Sequence, residues 1–424
     1  MQLLSHLGNP QNNYPAIHIA GTKGKGSVAA MSAACLRAAG YRVGLYTSPH
    51  LQDFRERIRI LTPDEADGRI SPSAFVQHIE QLKPAVAATP GTTWFEILTA
   101  VAFLHFAQEQ VDIAVLEVGM GGRLDATNVV TPLVSVITSL SLDHTKFLGD
   151  TLAEIAFEKG GIIKPGVPLI SAAQKPEALD VLRRLTAERE APFSLIGQNW
   201  QYNGRTLLAS TTEQELTIIH SPDPTFIPDG STLRLALFGE FQLENATAAL
   251  AALAVVRPSF PRLTLDACRE GLAQVVWHGR LQILHQSPDT PTLLADCAHN
   301  PDSAQKLSHT LTHHYPFKRL WFIFGSARDK DFRQELAALL PPASGIITTT
   351  VNHPRSATPE ELAELAEECG AKAYPAADMD TAVTLAWSLA APGDLICVTG
   401  SIYIVGDLLN RWESLQSQLI QRGD

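Results

Sequence analysis

The sequence predicts an α/β fold with a mostly parallel sheet, divided into two domains. Short apolar runs alternate with alanine-rich or amphipathic segments of helical length, the pattern of repeated strand–helix units. This pattern restarts near residue 277, directly after a predicted helix ends. A chain of 424 residues is long enough for two domains of this kind. We therefore place one domain at residues 1–276 and a second at 277–424.

The first domain contains five predicted strands and five predicted helices. The strands, at 14–20, 42–46, 113–118, 133–138 and 168–171, are short apolar runs typical of strands buried on both faces. The helices lie at 27–39, 73–87, 94–108, 152–159 and 240–256. Residues 198–237 are richer in Thr, Ser, Pro and Asp, which predicts antiparallel strands and loops.

The second domain repeats the pattern on a smaller scale. Its predicted strands lie at 280–285, 292–295, 320–324, 345–349 and 394–398, with helices between them. The segment is long enough for a Rossmann-like α/β domain with its own core.

Composition excludes several classes of protein. The net charge of −11 argues against general nucleic-acid binding, so any anionic ligand must be held by local cations. Five cysteines are scattered without metal-binding spacing, which fits a reducing cytoplasm. The sequence shows no signal peptide and no apolar stretch of transmembrane length, so we expect a cytoplasmic protein that does not enter a membrane.

Residues 18–27, His-Ile-Ala-Gly-Thr-Lys-Gly-Lys-Gly-Ser, predict a binding site for a nucleotide phosphate. An apolar strand runs into a glycine-rich turn, and a helix follows. Gly21, Gly24 and Gly26 let the backbone approach an anion, and the first N–H groups of the helix point toward it. Lys25 supplies a positive charge, and the Ser27 hydroxyl can bind Mg²⁺.

The spacing of this loop differs from that of the common P-loop. Only Thr22 and Lys23 separate Gly21 from Gly24-Lys25, whereas the common motif has four intervening residues. The alternative interpretation is a glycine-rich strand-to-helix turn with a solvated lysine.

Three polar positions follow predicted strands or helices and could carry chemistry. Glu117 ends an apolar strand, where α/β proteins bind ligands, and it suits a Mg²⁺ ligand or a cap for the next turn. His144, after Asp143, follows the next strand and could equally be structural. Lys159 lies in the last turn of a helix, where a lysine ordinarily compensates the helix dipole.

Several separated motifs, in this order, resemble folylpolyglutamate synthases and dihydrofolate synthases of the Mur ligase superfamily. They include the loop at 21–27, Thr47-Ser-Pro-His-Leu at 47–51, Glu-Arg-Ile at 56–58, and Asp-Cys-Ala-His-Asn-Pro at 296–301. The resemblance implies a P-loop-containing, Mur-ligase-like ATP-binding domain and a C-terminal Rossmann-like glutamate ligase domain. It also implies ATP-dependent addition of L-glutamate to dihydropteroate or a reduced folate through an acyl phosphate, by a monomer.

The resemblance also implies roles for individual residues. The ATP-binding set is Gly21, Thr22, Lys23, Gly24, Lys25, Gly26, Ser27, Asn245, Arg280 and Asp296. Ser48 and Glu117 would bind one Mg²⁺ and His144 a second. The catalytic set is Lys25, Lys159, His144 and His299, with Lys159 carbamylated by CO₂. The substrate-binding set is Thr47, Ser48, Pro49, His50, Arg57, Phe95, Glu96, His299 and Ser401.

Carbamylation requires a neutral amine, so burial or nearby cations must lower the pKa of Lys159. Three other residues have ordinary structural alternatives. Asn245 could be a helix-surface amide, Arg280 a cation at a strand edge, and Asn300 a helix N-cap.

Two features depart from the family pattern. Lys23 stands where asparagine is usual, which adds a cation whose partner the sequence does not identify. Only 20 residues precede Gly21, fewer than in most relatives, so we expect either altered packing of the N-terminus or a misplaced start codon.

Two competing functions remain at this point. A cell-wall Mur ligase would need an N-terminal UDP-binding domain, for which residues 1–20 leave no room. A non-catalytic P-loop nucleotide-binding protein would not need Glu117, His144, Lys159 and Asp296 together. Within the resembling family, the motifs are compatible with dihydrofolate synthesis, polyglutamate extension or both.

Overall fold

The computed structural model describes residues 2–206, 213–328 and 330–421 in two compact units. The first unit comprises residues up to Arg205 together with Gln214–Ala236 and Glu240–Val276. The second continues from Trp277 and also includes Leu237–Gly239.

A seven-stranded, mostly parallel sheet forms the centre of the first unit. Its strands in chain order are β1 Ala16–Ala20, β2 Val43–Tyr46, β3 Ile58–Leu61, β4 Ile113–Glu117, β5 Val134–Ile137, β6 Leu169–Ser171 and β7 Phe193–Leu195. Their order across the sheet is β3-β2-β4-β1-β5-β6-β7, and only the edge pair β2–β3 is antiparallel. The predicted fold class is confirmed, and the five predicted strands of this domain are present.

Nine helices of the first unit flank this sheet or connect its strands. They are α1 Gln2–Ser5, α2 Lys25–Ala38, α3 Pro72–Ala87, α4 Trp94–Gln108, α5 Thr145–Leu148, α6 Leu152–Gly160, α7 Pro176–Glu188, α8 Glu240–Val256 and α9 Leu265–Gln274, among the described residues. The prediction that the first long helix starts at Ser27 is wrong, since α2 begins at Lys25. Gly24, which has a left-handed backbone, ends the loop two residues before the predicted last loop residue, Gly26. Helical backbone starts immediately after Gly24.

The core of the first unit contains two clusters of large buried side chains from the sheet and its helices. Tyr46, Phe103 and Phe106 are fully buried on one side, in a cluster that also holds Leu3 and Leu4 of the short α1. Leu182 and Leu185 of α7 pack with Ile162 in a second cluster. Burial of side chains of this size contributes about 1.5–3 kcal/mol each.

A small antiparallel sheet occupies the region predicted to be antiparallel. Its strands are β8 Gln201–Thr206, β9 Gln214–His220 and β10 Ser231–Leu235, in the order β10-β9-β8. Side chains of β10 alternate between buried and exposed, as expected for a sheet with one solvated face.

The second unit is built on a six-stranded sheet. The strands are β11 Gln282–His285, β12 Thr292–Ala295, β13 Leu320–Phe324, β14 Gly345–Thr348, β15 Ala373–Pro375 and β16 Leu395–Thr399, in the order β11-β12-β16-β13-β14-β15. Only β11 runs antiparallel to its neighbour. The helices are α10 Pro301–His314, α11 Phe332–Leu339, α12 Pro359–Glu368, α13 Met379–Leu389 and α14 Ile402–Gln421.

The sheet of the first unit determines where its functional residues meet. β4, β1 and β5 are parallel neighbours at the centre, so the segments after Ala20, Glu117 and Ile137 lie at the same edge. Ligands of open α/β sheets bind at this carboxyl edge. Within the described part of the chain, no helix combines the length and the apolar character needed to span a membrane.

Candidate active site

The glycine-rich loop connects β1 to α2 and can be formed only by glycine at two positions. Gly21 and Gly24 have φ values of 145° and 89°, in the left-handed region. A Cβ at Gly21 would overlap the Thr138 side chain, and one at Gly24 would overlap Asn245. The loop therefore packs closely against the segment after β5 and against α8, while the first N–H groups of α2 begin at Lys25.

Lys25, Glu117 and Ser48 are brought together at the carboxyl edge of the sheet. Lys25 Nζ lies 3.9 Å from Glu117 Oε1. Glu117 is only 4% exposed, and its Oε2 accepts the Ser48 backbone N–H at 3.0 Å. A buried carboxylate beside the lysine of a glycine-rich loop is an arrangement that can hold a hydrated cation and a phosphate together.

The residues present fit a Mg²⁺ ion that is shared with a nucleotide. Among the described residues, no cluster of three or more His, Cys, Asp or Glu side chains could hold a metal alone. Mg²⁺ is usually bound by one or two carboxylates, several waters and substrate phosphates rather than by a protein cage. The carboxylate oxygens of Glu117 and the hydroxyl of Ser48, whose N–H Glu117 accepts, are hard ligands of the kind that this mode of binding requires.

Lys159 lies in the last turn of α6, yet it is not a surface charge. Its side chain is buried, and Nζ donates a hydrogen bond to the Gly21 carbonyl at 2.9 Å. Burial lowers the pKa of Lys159 to about 7, and the positive charge of Lys25 contributes in the same direction. The neutral amine is therefore well populated at neutral pH, and the dipole-compensating interpretation of Lys159 is wrong.

Asp143 is a partner of Lys23. Lys23 Nζ lies 3.3 Å from Asp143 Oδ2, and both side chains are less than one-fifth exposed. The Thr22 hydroxyl lies 3.2 Å from both the N–H and the carbonyl of Ser141. His144 follows with a left-handed backbone and an exposed ring. The loop and the segment carrying His144 are thus connected by several polar contacts.

The N-terminal half of α8 closes the loop from the opposite side. Gln242 is fully buried, and its Nε2 donates to the Ser27 hydroxyl at 3.3 Å. Asn245 Nδ2 donates to Gln242 Oε1 at 2.9 Å, so Asn245 is a buried residue and not a helix-surface amide. Gln242 was not predicted, although a polar pair three residues apart in an otherwise apolar helix could have indicated it.

A cavity of about 670 Å³ opens in the first unit next to this edge. Its lining includes five residues of the predicted substrate-binding set: Ser48, Pro49, Arg57, Phe95 and Glu96. Glu96 also forms a capping box with Thr93 at the start of α4, so part of its role is structural.

The remaining predicted residues of this segment lie directly behind the lining. Thr47 is buried, and its N–H donates to the Arg57 carbonyl at 3.1 Å. Arg57 Nε donates to His50 Nδ1 at 2.9 Å. Burial lowers the pKa of His50, with a further contribution from the charge of Arg57, so the ring is neutral and can accept this hydrogen bond.

The apolar and acidic walls of the cavity were not predicted from the sequence. Met120, Leu124 and Phe147 line it while remaining 46%, 80% and 75% exposed. Large apolar side chains exposed around a concave surface commonly mark a binding site. Asp125 adds a carboxylate to the same wall. Met120 and Leu124, two bulky apolar residues in a glycine-rich loop, could have indicated part of this wall.

The other predicted residues lie together in the second unit. Asp296 is buried at the end of β12, where its carboxylate accepts the N–H groups of Leu281 and Ala298 at 2.9 Å. Burial raises the pKa of Asp296, and the nearby charge of Arg280 opposes this. His299 Nδ1 lies 2.8 Å from the Cys297 carbonyl, which requires a proton on Nδ1.

Ser401 occupies the adjacent strand end in this unit. It is buried, and its hydroxyl accepts the Tyr403 N–H at 3.2 Å. The Gly400 N–H donates to the Ala298 carbonyl at 3.0 Å, which joins the loops after β16 and β12. Asn300 caps α10 through the Ser303 N–H, which is the structural role that the sequence allowed.

Fold and site together define an ATP-dependent ligase of the Mur ligase type. Residues 66–253 match the Mur ligase middle domain, and residues 279–402 match the Mur ligase glutamate ligase domain. The chain belongs to the dihydrofolate synthase/folylpolyglutamate synthase family. It is therefore an ATP-dependent glutamate ligase of folate metabolism, which argues against the cell-wall ligase and the non-catalytic nucleotide-binding protein.

Two relatives and two solved structures illustrate the similarity. The chain is 35% identical over 419 residues to the dihydrofolate synthase/folylpolyglutamate synthase of Bacillus subtilis, covering 97% of this chain and 93% of the relative. It is 36% identical over 447 residues to the enzyme of that name from Mycobacterium tuberculosis, covering 95% of this chain and 87% of the relative.

The structural similarity extends over nearly the whole chain. Folylpolyglutamate synthase of Mycobacterium tuberculosis, complexed with ADP and AMPPCP, superposes with a TM-score of 0.86 at 35% identity, covering 97% of this chain and 93% of that one. E. coli FolC in complex with DHPP and ADP gives 0.83 at 30% identity, covering 98% and 92%.

Proposed function

We propose that the cavity and the phosphate loop of the first unit activate a folate carboxylate, which then receives L-glutamate. The observation that carries this proposal is the position of Ser48. Its N–H binds Glu117 beside Lys25, and the same residue lines the cavity of about 670 Å³. A substrate in the cavity can thus extend a carboxylate toward the nucleotide phosphates.

The reaction proceeds in two steps, phosphorylation of the carboxylate and then attack by the amine. A carboxylate oxygen of the folate attacks the γ-phosphorus of ATP, the bond from phosphorus to the β–γ bridging oxygen breaks, and ADP leaves. The glutamate amine then attacks the acyl carbon, the carbon–oxygen bond to phosphate breaks, and the amine loses a proton. Lys25 stabilises charge on the transferring group, so catalysis is mainly positioning and electrostatics without a protein nucleophile.

We propose two Mg²⁺ positions at the carboxyl edge. Ser48 and Glu117 would hold one ion, and His144 would contribute to the other. Mg²⁺ bound there supplies further neutralisation of the phosphate charge. The chain itself orients Glu117, since its carboxylate accepts the Ser48 N–H and lies 3.9 Å from Lys25 Nζ.

We propose that Lys159 is carbamylated in the active enzyme. The neutral amine nitrogen attacks CO₂, a nitrogen–carbon bond forms, and one proton is released to solvent, leaving an anionic carbamate. The support is that the pKa of Lys159 is lowered to about 7 by burial and by Lys25. The positive charges of Lys25 and Lys23, which both act on Lys159, would stabilise the resulting anion.

The cavity suits the aromatic ring system of dihydropteroate or a reduced folate. Phe95, Leu124 and Phe147 provide apolar surface for flat rings. Arg57, held by His50, provides a cation for a substrate carboxylate. We propose that both substrates use this one cavity.

The second unit supplies the remaining proposed contacts. His299 and Ser401 are proposed to bind glutamate, and Arg280 and Asp296 are proposed to bind the nucleotide. The support is that Asp296, His299 and Ser401 follow the adjoining strands β12 and β16, and that the charge of Arg280 acts on Asp296. We further propose that the protein acts as a monomer and does not bind nucleic acid, given its net charge of −11.

The decisive experiment measures ADP release by the purified protein with ATP, Mg²⁺, L-glutamate and either dihydropteroate or tetrahydrofolate. We expect release that requires both the glutamate and the folate substrate. Formation of the glutamylated product is followed by mass spectrometry in the same reactions. ADP release that proceeds equally without glutamate, with no amide product, would contradict the proposal.

A further inference from the structure

A continuous chain of buried hydrogen bonds connects the central strand of the first sheet to the wall of the cavity. It begins at His18 in β1, which is fully buried between β4 and β5. His18 Nε2 lies 2.8 Å from the Thr127 hydroxyl oxygen. The Thr127 hydroxyl lies 2.6 Å from Asp125 Oδ1, and Asp125 lines the cavity.

The contacts determine which atom donates in each hydrogen bond between His18, Thr127 and Asp125. Asp125 receives the N–H groups of Thr127 and Met120, both at 3.0 Å, so it acts as an acceptor. The single Thr127 hydroxyl proton is therefore donated to Asp125, and the Thr127 oxygen can only accept from His18. His18 must carry its proton on Nε2.

The surroundings of His18 Nδ1 are consistent with a proton on Nε2. His18 Nδ1 is buried and makes no hydrogen bond to any described residue. An unprotonated nitrogen can be left unpartnered at lower cost than an N–H donor. Burial also lowers the pKa of His18 to about 3, so the ring is neutral.

These hydrogen bonds anchor the loop that forms part of the cavity wall. Asp125 lies on the loop between β4 and β5, which supplies much of the cavity lining, and it begins the short helix Ala126–Val129. Loops of this kind vary in position unless side chains anchor them. Thr127 is the anchor here, because it is fully buried and is held by a side chain of the rigid central strand.

We propose that His18 and Thr127 are positioning residues that hold the Asp125 carboxylate and its loop in the orientation that binds the folate substrate. This inference rests on the proposed function of the cavity. A carboxylate held in this way presents hydrogen-bond acceptors to N–H groups of the bound ring. His18 and Thr127 lie behind the wall and act only through Asp125.

Two matched pairs of variants test the proposal. Thr127→Ser keeps the hydroxyl, whereas Thr127→Val removes it at nearly constant volume. His18→Gln keeps an N–H donor near the position of Nε2, whereas His18→Leu removes it. For each purified variant we would measure the equilibrium Kd for the folate substrate without ATP, the KM values for ATP and glutamate, and stability in urea.

We expect Thr127→Val and His18→Leu to weaken folate binding about tenfold, the usual effect of losing a hydrogen bond to a charged group. The KM values for ATP and glutamate should stay within about twofold of the wild type, and Thr127→Ser and His18→Gln should restore most of the binding. Unchanged folate Kd in a folded Thr127→Val protein, or an equal loss for all three substrates, would overturn the proposal.

A spectroscopic measurement on the wild-type protein tests the His18 tautomer directly. Histidine-selective ¹⁵N NMR should show a neutral Nε2–H tautomer for His18, assigned by the signal lost in His18→Gln. A proton on Nδ1 instead would overturn the inference. Lack of any glutamate-dependent reaction in the wild-type enzyme would instead contradict the proposed function, so the two failures are distinguishable.

Discussion

Lys25 and Glu117 are the two residues on which the proposed phosphoryl transfer depends most directly. Lys25→Ala removes the side-chain cation that lies 3.9 Å from Glu117, and Glu117→Gln removes the charge while keeping an acceptor for Ser48. We expect each change to lower kcat at least about a hundredfold, as for the loss of other charge-stabilising groups. The measurement is glutamate-dependent ADP release, with thermal unfolding as the control for folding. Near-normal turnover in either folded variant would remove this assignment.

Lys159 makes a separate prediction about carbon dioxide. Lys159→Ala should be inactive and should regain part of its activity in millimolar acetate, because a small carboxylate can occupy the space of the carbamate. Activity of the wild type should also fall in CO₂-depleted buffer and return with bicarbonate. Lys159→Arg is the matched control, since it keeps a cation that cannot be carbamylated. Full activity of Lys159→Arg would contradict carbamylation.

Lys23 and Asp143 should behave as a coupled pair. Since their ion pair connects the phosphate loop to the segment of His144, Lys23→Met and Asp143→Asn should each raise the KM for ATP about threefold to tenfold. The double variant should be no worse than the more severe single variant. Additive effects of the two changes would show that each residue acts independently.

At the scale of elements, α3 and α4 are joined by two buried histidines. His78 Nε2 lies 3.1 Å from His105 Nδ1, so at most one proton can be shared along this contact. Burial lowers the pKa of both residues, to about 4 for His105, where the proximity of His78 contributes. A folded-state pKa below the unfolded value of about 6.5 means that the folded protein binds fewer protons.

The stability from these neutral rings is complete above about pH 6.5 and is lost as the pH falls toward the folded-state value. We expect the free energy of unfolding to decrease between pH 7 and pH 5, by at most about 1.4 kcal/mol per pH unit for each proton taken up. His105→Gln, which cannot titrate, should make this decrease shallower. Urea denaturation at several pH values measures it, with exposed His6→Gln as control. An identical slope in both variants would contradict the explanation.

The elements that the sequence predicted best are two strands and two helices that each contain several buried residues. The strands at Leu320–Phe324 and Thr292–Ala295 and the helices Trp94–Gln108 and Glu240–Val256 have the predicted bounds. Three-residue strands such as Ala373–Pro375 were missed because an apolar run of that length is common in loops. The start of α2 was misplaced by two residues because the left-handed Gly24, and not Gly26, is the last residue before helical backbone.

The site residues that could be predicted are those that have a signal in their own stretch of sequence. Glu117 was predicted because it ends an apolar strand, and Lys25 was predicted because it lies in the glycine-rich loop motif that follows another. The cavity wall at Leu124 and Phe147 was not, since its residues come from separate loops that only the folded sheet brings together. Asp143 as the partner of Lys23 likewise depends on β1 and β5 being neighbours. Long-range pairing of this kind has no local signal.

At the scale of the whole molecule, one cavity is proposed to serve two chemically related substrates. Dihydropteroate should then inhibit glutamylation of tetrahydrofolate competitively, because both ring systems occupy the same apolar walls. Phe147→Ala should raise the KM for both substrates by a similar factor, about threefold to tenfold, since it removes apolar contact area that both use. The KM for ATP should not change.

Phe157→Ala is the matched control for this last measurement. Phe157 is 43% exposed but does not line the cavity, so its removal deletes a similar surface without touching the bound ring. Steady-state kinetics with each substrate alone and with both present separate the possibilities. Non-competitive inhibition, or a Phe147→Ala effect on one substrate only, would mean that the two activities use different surfaces. A common competitive pattern would mean that specificity between the two reactions depends on how far each substrate extends its carboxylate past Ser48 toward Lys25.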